Sequence, residues 1–462
     1  MIARERSLIW LVALVFLAGG IVGGGPTSPN LSMFVELMAA FLGALGIAGL
    51  VDGHYPRHAR LALLLLTLVC LVPLAQLIPL PASCWEALPG REVPAEILRL
   101  ANLESLARPL TLASEQTRLG GLTLIVPAAI FIAVLQIGAE GRDFVMRVIV
   151  VFAFVSALLG VFQVAAGSGV DLGIYRQVHD GYPIGFFANR NHEGDLLLIA
   201  LPASAQVIST IAWQHRTKGF AMIVAALFFS LAVISTQSRT AASLLPISLG
   251  GVLAIWIGDV RDRRVWAGLA ALLLAALFSY AILKFTPVGQ HLAHRFTTLG
   301  DDLRPIVWQG TGDAIRSFWP LGSGVGSFVP IYQMFEDLNS VSDTWVNHAH
   351  NDYIEILLET GVVGLVLIAS YFLVAGLALL REAPRPLRRQ RYTAVTIILI
   401  LLAHSATDYP LRTFALLSIF AFANGMLFVS REHTHLRRKG PHPADPSPAF
   451  VMDESYATTG RV

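Results

Sequence analysis

The run FVMRVIVVFAFVSALLGVFQVAA (residues 144–166) carries a single charge, that of Arg147. A helix needs about 20 apolar residues to cross the hydrocarbon core of a bilayer, so this run predicts a transmembrane helix. Similar runs recur along the chain, and the sequence predicts an all-α polytopic membrane protein with about 12 transmembrane helices. The predicted spans lie near 8–24, 33–51, 60–79, 119–138, 144–166, 194–212, 219–236, 241–258, 265–284, 353–380, 392–408 and 413–430.

The composition agrees with this class. Of the 462 residues, 55% are hydrophobic and only 14% are charged, which is too apolar for a soluble protein. The 33 basic and 31 acidic residues leave a net charge of +2, so a nucleic-acid partner is not expected. Cys70 and Cys84 lie in or just beyond an apolar run and make a poor disulfide pair.

Lys and Arg are distributed unevenly between the predicted loops. They concentrate in every second connection, and cytoplasmic loops carry this excess. No small-residue cleavage site follows the first run, so we expect it to be retained as a helix. Both termini are then cytoplasmic, and the predicted cytoplasmic segments are 1–7, 52–59, 139–143, 213–218, 259–264, 381–391 and 431–462.

Three longer connections fall on the opposite face, at 80–118, 167–193 and 285–352. Long loops are usually functional or disordered. The largest contains RPIVWQGTGDAIRSFWPLGSGVGSF (residues 304–328), which predicts a short amphipathic helix followed by a glycine-rich turn. We divide the chain into N-terminal helices (1–180), a region with the candidate chemistry (181–370), C-terminal helices (371–430) and a disordered tail (431–462).

The stretch VNHAHNDYIEILLETGVVGL (residues 346–365) places polar side chains at the start of a long apolar helix, where free N–H groups and the helix dipole attract anions. A neutral imidazole there can accept a proton, and nearby carboxylates can orient it. The alternative is that Asn351 or Asp352 caps the helix while the histidines fill the interface. Two histidines at i and i+2 without a clear third ligand do not predict a metal site. The candidates are His348, His350, Asn351, Asp352 and Glu355.

Two arginines are candidate phosphate ligands. Arg239, in STQSRTAAS, lies in a very short outer turn, and its guanidinium group matches phosphate oxygens. The alternative is an arginine that snorkels to the interface. Arg304 lies four residues before Trp308 and on the same face of the predicted helix. Arg304 is alternatively a loop cation balanced by Asp301 and Asp302.

A second polar cluster precedes an apolar helix in GYPIGFFANRNHEGDLLLIALP (residues 181–202), where Arg190 and Asn191 are candidates for binding a lipid-linked sugar or acceptor. A helix cap is again the alternative. Other ionisable residues near the spans are Glu36, Lys284, His404 and Asp408, and all but Glu36 lie close to a span end. An ion-coupled transporter would place such groups near the middle of the membrane, so their position disfavours a transporter.

These motifs resemble the bacterial O-antigen ligase and polymerase superfamily. The ligase signature is His, then Asn, Ser or Gln, nine residues, Gly, two residues, then Gly, Thr or Tyr. His350, Asn351, Gly361 and Gly364 match it at every fixed position. Arg239, Arg304 and the glycines of LGSGVGSF are similar to further family features, and the similarity covers about 181–370. The doubled HAH leaves open whether His348 shares the role of His350.

The resemblance implies a GT-C-like fold in the bacterial inner membrane, with a large periplasmic loop carrying short helices and a periplasmic active site. It implies a metal-independent inverting glycosyltransferase without a cofactor, acting on an undecaprenyl-diphosphate-linked glycan among membrane lipids. Arg239 and Arg304 would bind the diphosphate, and His350 would activate the acceptor hydroxyl. His348, Asn351, Asp352, Glu355, Arg190, Asn191 and Trp308 would bind substrate or support these three.

The acceptor is left open within the superfamily. The ligase signature favours O-antigen ligation to lipid A core. An O-antigen or exopolysaccharide polymerase is the close alternative, and a protein O-oligosaccharyltransferase is a further one. A lipid-linked sugar flippase is the alternative from another class.

Overall fold

The computed structural model describes residues 2–25, 29–50, 55–166, 175, 181–257, 285, 290, 303–339, 341, 345–381 and 387–429. Nearly all regular structure there is helical. The helices are α1 (Ile2–Val22), α2 (Pro29–Leu50), α3 (Arg57–Gln76), α4 (Ala82–Glu86), α5 (Glu92–Leu100), α6 (Ser114–Thr123), α7 (Ile125–Val134), α8 (Ala139–Ala165), α9 (Arg190–Thr210), α10 (His215–Ser235), α11 (Arg239–Ile257), α12 (Arg304–Phe318), α13 (Phe328–Tyr332), α14 (Asp352–Leu379), α15 (Arg388–His404) and α16 (Phe414–Phe428).

Strand structure in the described ranges is limited to two short strands, β1 (Pro79–Leu80) and β2 (Arg108–Pro109). They pair antiparallel and close the base of the loop between α3 and α6. A 3₁₀ turn, Pro410–Arg412, joins α15 to α16. The fold is therefore all-α, as the sequence predicts.

Eight helices in the described part of the chain are long and apolar enough to cross a membrane: Ala3–Val22, Asn30–Leu50, Arg57–Gln76, Ser114–Val134, Ala139–Ala165, His215–Ser235, Arg239–Ile257 and Asp352–Leu379. Helix α16 is apolar but shorter. The predicted run 265–284, Lys284, Asp301, Asp302 and the tail 431–462 lie outside the described residues, as do residues 167–174 and 176–180 of the loop 167–193. The predicted number of about 12 spans stays a prediction.

Helices α9 and α15 cover the predicted runs 194–212 and 392–408 but are less apolar than the eight spans. Helix α9 packs against α8, α10, α11 and α15, and residues 192–206 are buried without a break. A helix enclosed by other helices does not face lipid and can therefore carry Glu193 and Asp195. The helix begins at Arg190 rather than 194, and α15 ends at His404, which leaves Asp408 outside the helix.

The loop segment 303–339 contains the predicted amphipathic helix as α12, and the predicted glycine-rich turn follows it. The turn is held by side chains from α3 and α6. Gln76 accepts from the Val325 N–H at 2.8 Å, and Thr117 donates to the Val325 carbonyl at 2.7 Å. Gln76 also donates to the Glu359 carbonyl at 2.9 Å, so the turn is tied to α14 through the same side chain.

A separate polar network joins α8, α9 and α15 where three predicted cytoplasmic segments meet. Gln390 accepts from Arg142 at 2.8 Å and donates to Asp143 at 2.8 Å, and Gln206 donates to the same carboxylate at 2.6 Å. Lys218 donates to the Ser209 carbonyl at 3.0 Å. The segments 139–143, 213–218 and 381–391 therefore lie at one end of the helix bundle.

Candidate functional site

His350 lies one residue before the cap of α14 with a backbone φ of 50°, a conformation that side-chain-bearing residues seldom adopt. Asn351 then caps the helix, and its side chain accepts from the N–H groups of Tyr353 and Ile354. The Asn351 amide also donates to the Ala406 carbonyl at 3.0 Å, which fixes the turn against the segment after α15. The cap alternative is thus correct for Asn351, and this cap holds His350 at the end of the helix.

Asp408 is the centre of the site. Its carboxylate is fully buried, and Oδ1 lies 3.1 Å from Nδ1 of His350, whose side chain is 30% exposed. Oδ2 accepts from the Asn191 amide and lies 3.7 Å from a terminal nitrogen of Arg304. One carboxylate therefore joins α9, α12, the segment before α14 and the segment after α15.

The charges around Asp408 favour its ionised form. Burial raises the pKa of a carboxyl group. At Asp408 this effect is outweighed by the hydrogen bond with His350 and by the charges of His192, His350 and His404, which hold its pKa well below the usual value. An ionised carboxylate next to Nδ1 selects the tautomer of His350 with its proton on Nδ1. The opposite nitrogen, Nε2, is then a proton acceptor.

Three arginines lie at the first residue of three helices that begin here: Arg190 of α9, Arg239 of α11 and Arg304 of α12. Burial lowers the pKa of Arg190, and the charges of Arg239 and Arg304 lower it further, which reflects their proximity. The Arg190 guanidinium stacks on the Tyr182 ring at 3.8 Å. Thr240, next to Arg239, lies 3.2 Å from Thr407, next to Asp408, measured between the hydroxyl oxygens.

Helix α14 also begins at this point, so four helix N-termini converge with three guanidinium groups. Each helix N-terminus carries a partial positive charge of about +0.5 and free N–H groups. Together with the arginines, these ends make the region attractive to a polyanion such as a diphosphate.

A second histidine–carboxylate pair lies beside the first. Nδ1 of His348 is 2.8 Å from Oε1 of Glu355, and Oε2 accepts from the Ala349 N–H at 2.8 Å. The Tyr409 ring packs against both imidazoles, with ring centroids 4.2 Å from His348 and 5.0 Å from His350. Trp308 donates to the Ala349 carbonyl at 2.9 Å and so fixes the residue between the two histidines.

Arg412 neutralises a group of buried carboxylates beneath the second pair. Its two terminal nitrogens bind Glu359 at 3.0 and 3.1 Å. Nη2, one of these two, also lies 3.5 Å from Glu355, and Nε lies 3.6 Å from Asp352. Burial lowers the pKa of Arg412, but these three carboxylates raise it above its usual value. Glu359 also accepts from the Gly326 N–H at 2.8 Å, which connects the glycine-rich turn to the histidines.

The structure brings the predicted site residues into one region, although they come from segments far apart in sequence. His350, Arg304 and Asn191 meet at Asp408. Arg190 lies near both Arg239 and Arg304. Asp352 accepts from Ser405 at 2.7 Å and lies 3.6 Å from Arg412, and its predicted supporting role stays a prediction. Among the residues described, no group of three or more His, Cys, Asp and Glu is arranged to hold a metal ion.

Sequence reasoning missed the central roles of Asp408, Tyr409 and Arg412. The sequence identifies Asp408 only as an ionisable group near a span end, and it does not single out Tyr409 or Arg412. A possible signal was TDYPLR (residues 407–412), which places an acid, an aromatic ring and a base directly after an apolar run. Their partners lie about fifty residues or more away in the chain, so local spacing could not reveal them.

The apolar helices and the buried charged site define an integral membrane protein with a polyanion-attracting centre beside a histidine–carboxylate pair. Residues 224–369 match the family model described as "O-Antigen ligase". This match supports the resemblance of that segment to the O-antigen ligase and polymerase superfamily. The matched segment contains Arg239, Arg304 and His350. No curated protein matches the chain.

Proposed function

We propose that the protein transfers a glycan from undecaprenyl diphosphate to an acceptor hydroxyl at the periplasmic face of the bacterial inner membrane. The observation that carries this proposal is the arrangement at Asp408, where His350 and Arg304 contact one carboxylate with Arg190 and Arg239 nearby. A base and a diphosphate-binding group are thereby close enough to act on one substrate.

In the proposed reaction, Nε2 of His350 takes the proton of the acceptor hydroxyl while its oxygen forms a bond to the anomeric carbon. The bond from that carbon to the diphosphate oxygen breaks on the opposite face, so the anomeric configuration inverts. The leaving diphosphate keeps the electron pair, and the arginines and helix N-termini offset its charge. Asp408 stabilises the imidazolium that forms on His350. These steps need no metal and no cofactor.

The acceptor that we favour is lipid A core, which makes the protein an O-antigen ligase. The support is the signature of His350, Asn351, Gly361 and Gly364. An O-antigen or exopolysaccharide polymerase would use the same donor chemistry with a different acceptor, and it is the alternative to be separated by experiment.

The test is His350→Ala in a strain that lacks the chromosomal gene, with gel analysis of the cell-surface glycans. We expect normal membrane insertion and loss of transfer, because the hydroxyl proton then has no acceptor. His215→Ala is the matched control, since His215 stacks on Trp256 away from the site, and it should keep full transfer.

The glycan that accumulates identifies the reaction. Full-length chains left on the lipid carrier indicate a ligase, and lipid A core with a single repeat indicates an O-antigen polymerase. Loss of an extracellular polymer alone indicates an exopolysaccharide polymerase. Retained transfer in His350→Ala, or lipid-linked donor trapped on the cytoplasmic side, contradicts the proposal.

A further inference from the structure

Behind Asp408, a second pair of ionisable residues lies in the helix bundle and has no part in the proposed reaction. His404 of α15 and Asp195 of α9 are both fully buried, and Nδ1 of His404 contacts Oδ1 of Asp195. The other ring nitrogen of His404, Nε2, lies 4.0 Å from Oδ2 of Asp408 and has no hydrogen-bond partner among the described residues. His350, Asp408, His404 and Asp195 therefore form a continuous line from the exposed imidazole into the bundle.

The geometry of His404 decides where its protons are. Nδ1 contacts Oδ1 of Asp195, so one proton lies between these two atoms, because two lone pairs would repel each other. Nε2 faces a second carboxylate, that of Asp408. A neutral ring protonated on Nδ1 would direct a lone pair at this negative charge, whereas an imidazolium directs an N–H group at each carboxylate. Two flanking carboxylates also provide the counter-charge that a buried imidazolium requires.

We propose that His404 is a buried imidazolium, held by Asp195, that sets the proton affinity of His350 through Asp408. His404 is a positioning residue, since it does not reach the substrate region and acts only through Asp408. Its positive charge reduces the negative potential that His350 experiences, so His350 releases its proton more readily. The significance for catalysis rests on the proposed function, but the effect on His350 does not.

The sign of the effect depends on all the charged and titratable groups around Asp408. Arg304 and His192 face the same carboxylate and remain in place when His404 is changed. Loss of the His404 charge leaves Asp408 with less positive surroundings, and His350 then holds its proton to a higher pH. Removing a unit charge from the position of His404, one carboxylate away from His350, shifts the pH of half-maximal protonation by on the order of one unit. The groups in question are His350 before α14, Arg304 of α12, His192 and Asp195 of α9, and His404 of α15.

The test uses the full-length protein in nanodiscs and diethyl pyrocarbonate, which acylates a histidine only when its imidazole is neutral. The rate of acylation of His350 is followed against pH by mass spectrometry, with fragment ions separating His350 from His348. The variant is His404→Asn, whose amide can still donate to Asp195 but carries no charge. We expect the pH of half-maximal acylation of His350 to rise by about one unit, so that acylation near neutral pH falls several-fold.

His58→Asn is the matched control, because His58 is also a buried histidine with a hydrogen bond, to the Phe428 carbonyl at 3.1 Å. It should lower stability without moving the acylation profile. If the acylation rate of His350 depends on pH in the same way in a folded His404→Asn protein as in the wild type, the proposal is overturned. A histidine with a purely structural role would give that result.

If His404→Asn does not fold, ¹⁵N solid-state NMR of the histidine-labelled wild-type protein tests the same point. We expect a histidine with both ring nitrogens protonated at pH 8, and the absence of any such signal overturns the proposal. Acylation does not depend on transfer, so the two proposals fail separately. A shifted profile in a protein without transfer activity contradicts the function only, and active transfer with an unshifted profile contradicts the role of His404 only.

Discussion

Asp408 shows how one side chain can organise a site from residues that the sequence keeps far apart. Its two oxygens contact His350, Asn191 and Arg304, and the backbone N–H of Tyr409 donates to Oδ1 at 3.0 Å. The carboxylate therefore both orients the proposed base and holds the proposed diphosphate ligand. A neutral amide at this position would keep the volume but lose the charge.

We predict that Asp408→Asn keeps membrane insertion but lowers the rate of glycan transfer by about 10²–10⁴-fold. The reason is that an amide neither selects the Nδ1-protonated tautomer of His350 nor stabilises its imidazolium. Transfer by the purified protein, with protein amount set by immunoblot, measures the change. Asp313→Asn is the control, because Asp313 pairs with the exposed Arg316 on α12. Wild-type rates in Asp408→Asn would contradict this role.

Arg190 makes a separate prediction about the donor. Its Nη1 is buried and has no hydrogen-bond partner in the part of the chain that the structure describes, so it can donate to a phosphate oxygen. We predict that Arg190→Gln raises the KM for the lipid-linked donor by about 10- to 100-fold. This factor corresponds to the free energy of one hydrogen bond to a charged group. The KM for the acceptor should change less. Initial rates with each substrate varied in turn measure this. Arg147→Gln, an exposed arginine of α8, should behave as wild type, and a change confined to the acceptor would show that Arg190 does not bind the donor.

At the scale of the elements, the bend of α14 connects the site to the glycine-rich turn. Gly361 has a φ of 57° inside the helix, and the Val362 N–H donates to the Pro320 carbonyl at 2.8 Å. The bend lets the first turns of α14 carry Glu355 and Glu359 into the site while the remainder continues as an apolar span. Only glycine combines this backbone conformation with so close an approach.

We predict that Gly361→Ala destabilises the protein by about 3 kcal/mol and impairs transfer. A Cβ atom at this position would lie 1.9 Å from the Pro320 carbonyl oxygen, so the turn or the helix must move. Thermal unfolding in detergent measures the loss. Gly376→Ala in the same helix is the control, since a Cβ there meets nothing within 4 Å, and it should be neutral or slightly stabilising. Equal stability of the two variants would contradict this account.

The elements themselves were largely predictable from the sequence, because apolar length decides a membrane helix with little help from tertiary structure. The amphipathic α12, the glycine-rich turn and the start of α14 follow from local pattern. Helix α9 is harder to predict from the sequence. Its start at Arg190 depends on the Asn189 cap, and its polar residues are tolerated because other helices enclose it. The pairing of His350 with Asp408 depends on how α14 and α15 pack, which no local pattern encodes.

Across the described part of the molecule, two groups of polar contacts bear on its orientation in the membrane. One joins segments 139–143, 213–218 and 381–391 and includes Arg142, Lys218 and Arg389. The other is the site, formed where α9, α11, α12 and α14 begin. The proposed function requires that the site faces the periplasm, because the lipid-linked glycan is presented there. The distribution of Lys and Arg supports the same orientation.

The native cysteines allow this orientation to be tested. Cys84 is exposed on α4 in the loop between α3 and α6, whereas Cys70 lies within the apolar span of α3. We predict that a membrane-impermeant maleimide labels Cys84 in cells whose outer membrane alone is permeabilised, and that Cys84→Ser removes the signal. In that background, Thr217→Cys, at an exposed position at the start of α10, should be labelled only after the inner membrane is opened. The reverse result, with Thr217→Cys labelled first, would place the three arginines and His350 on the cytoplasmic side, where the proposed donor and acceptor cannot meet.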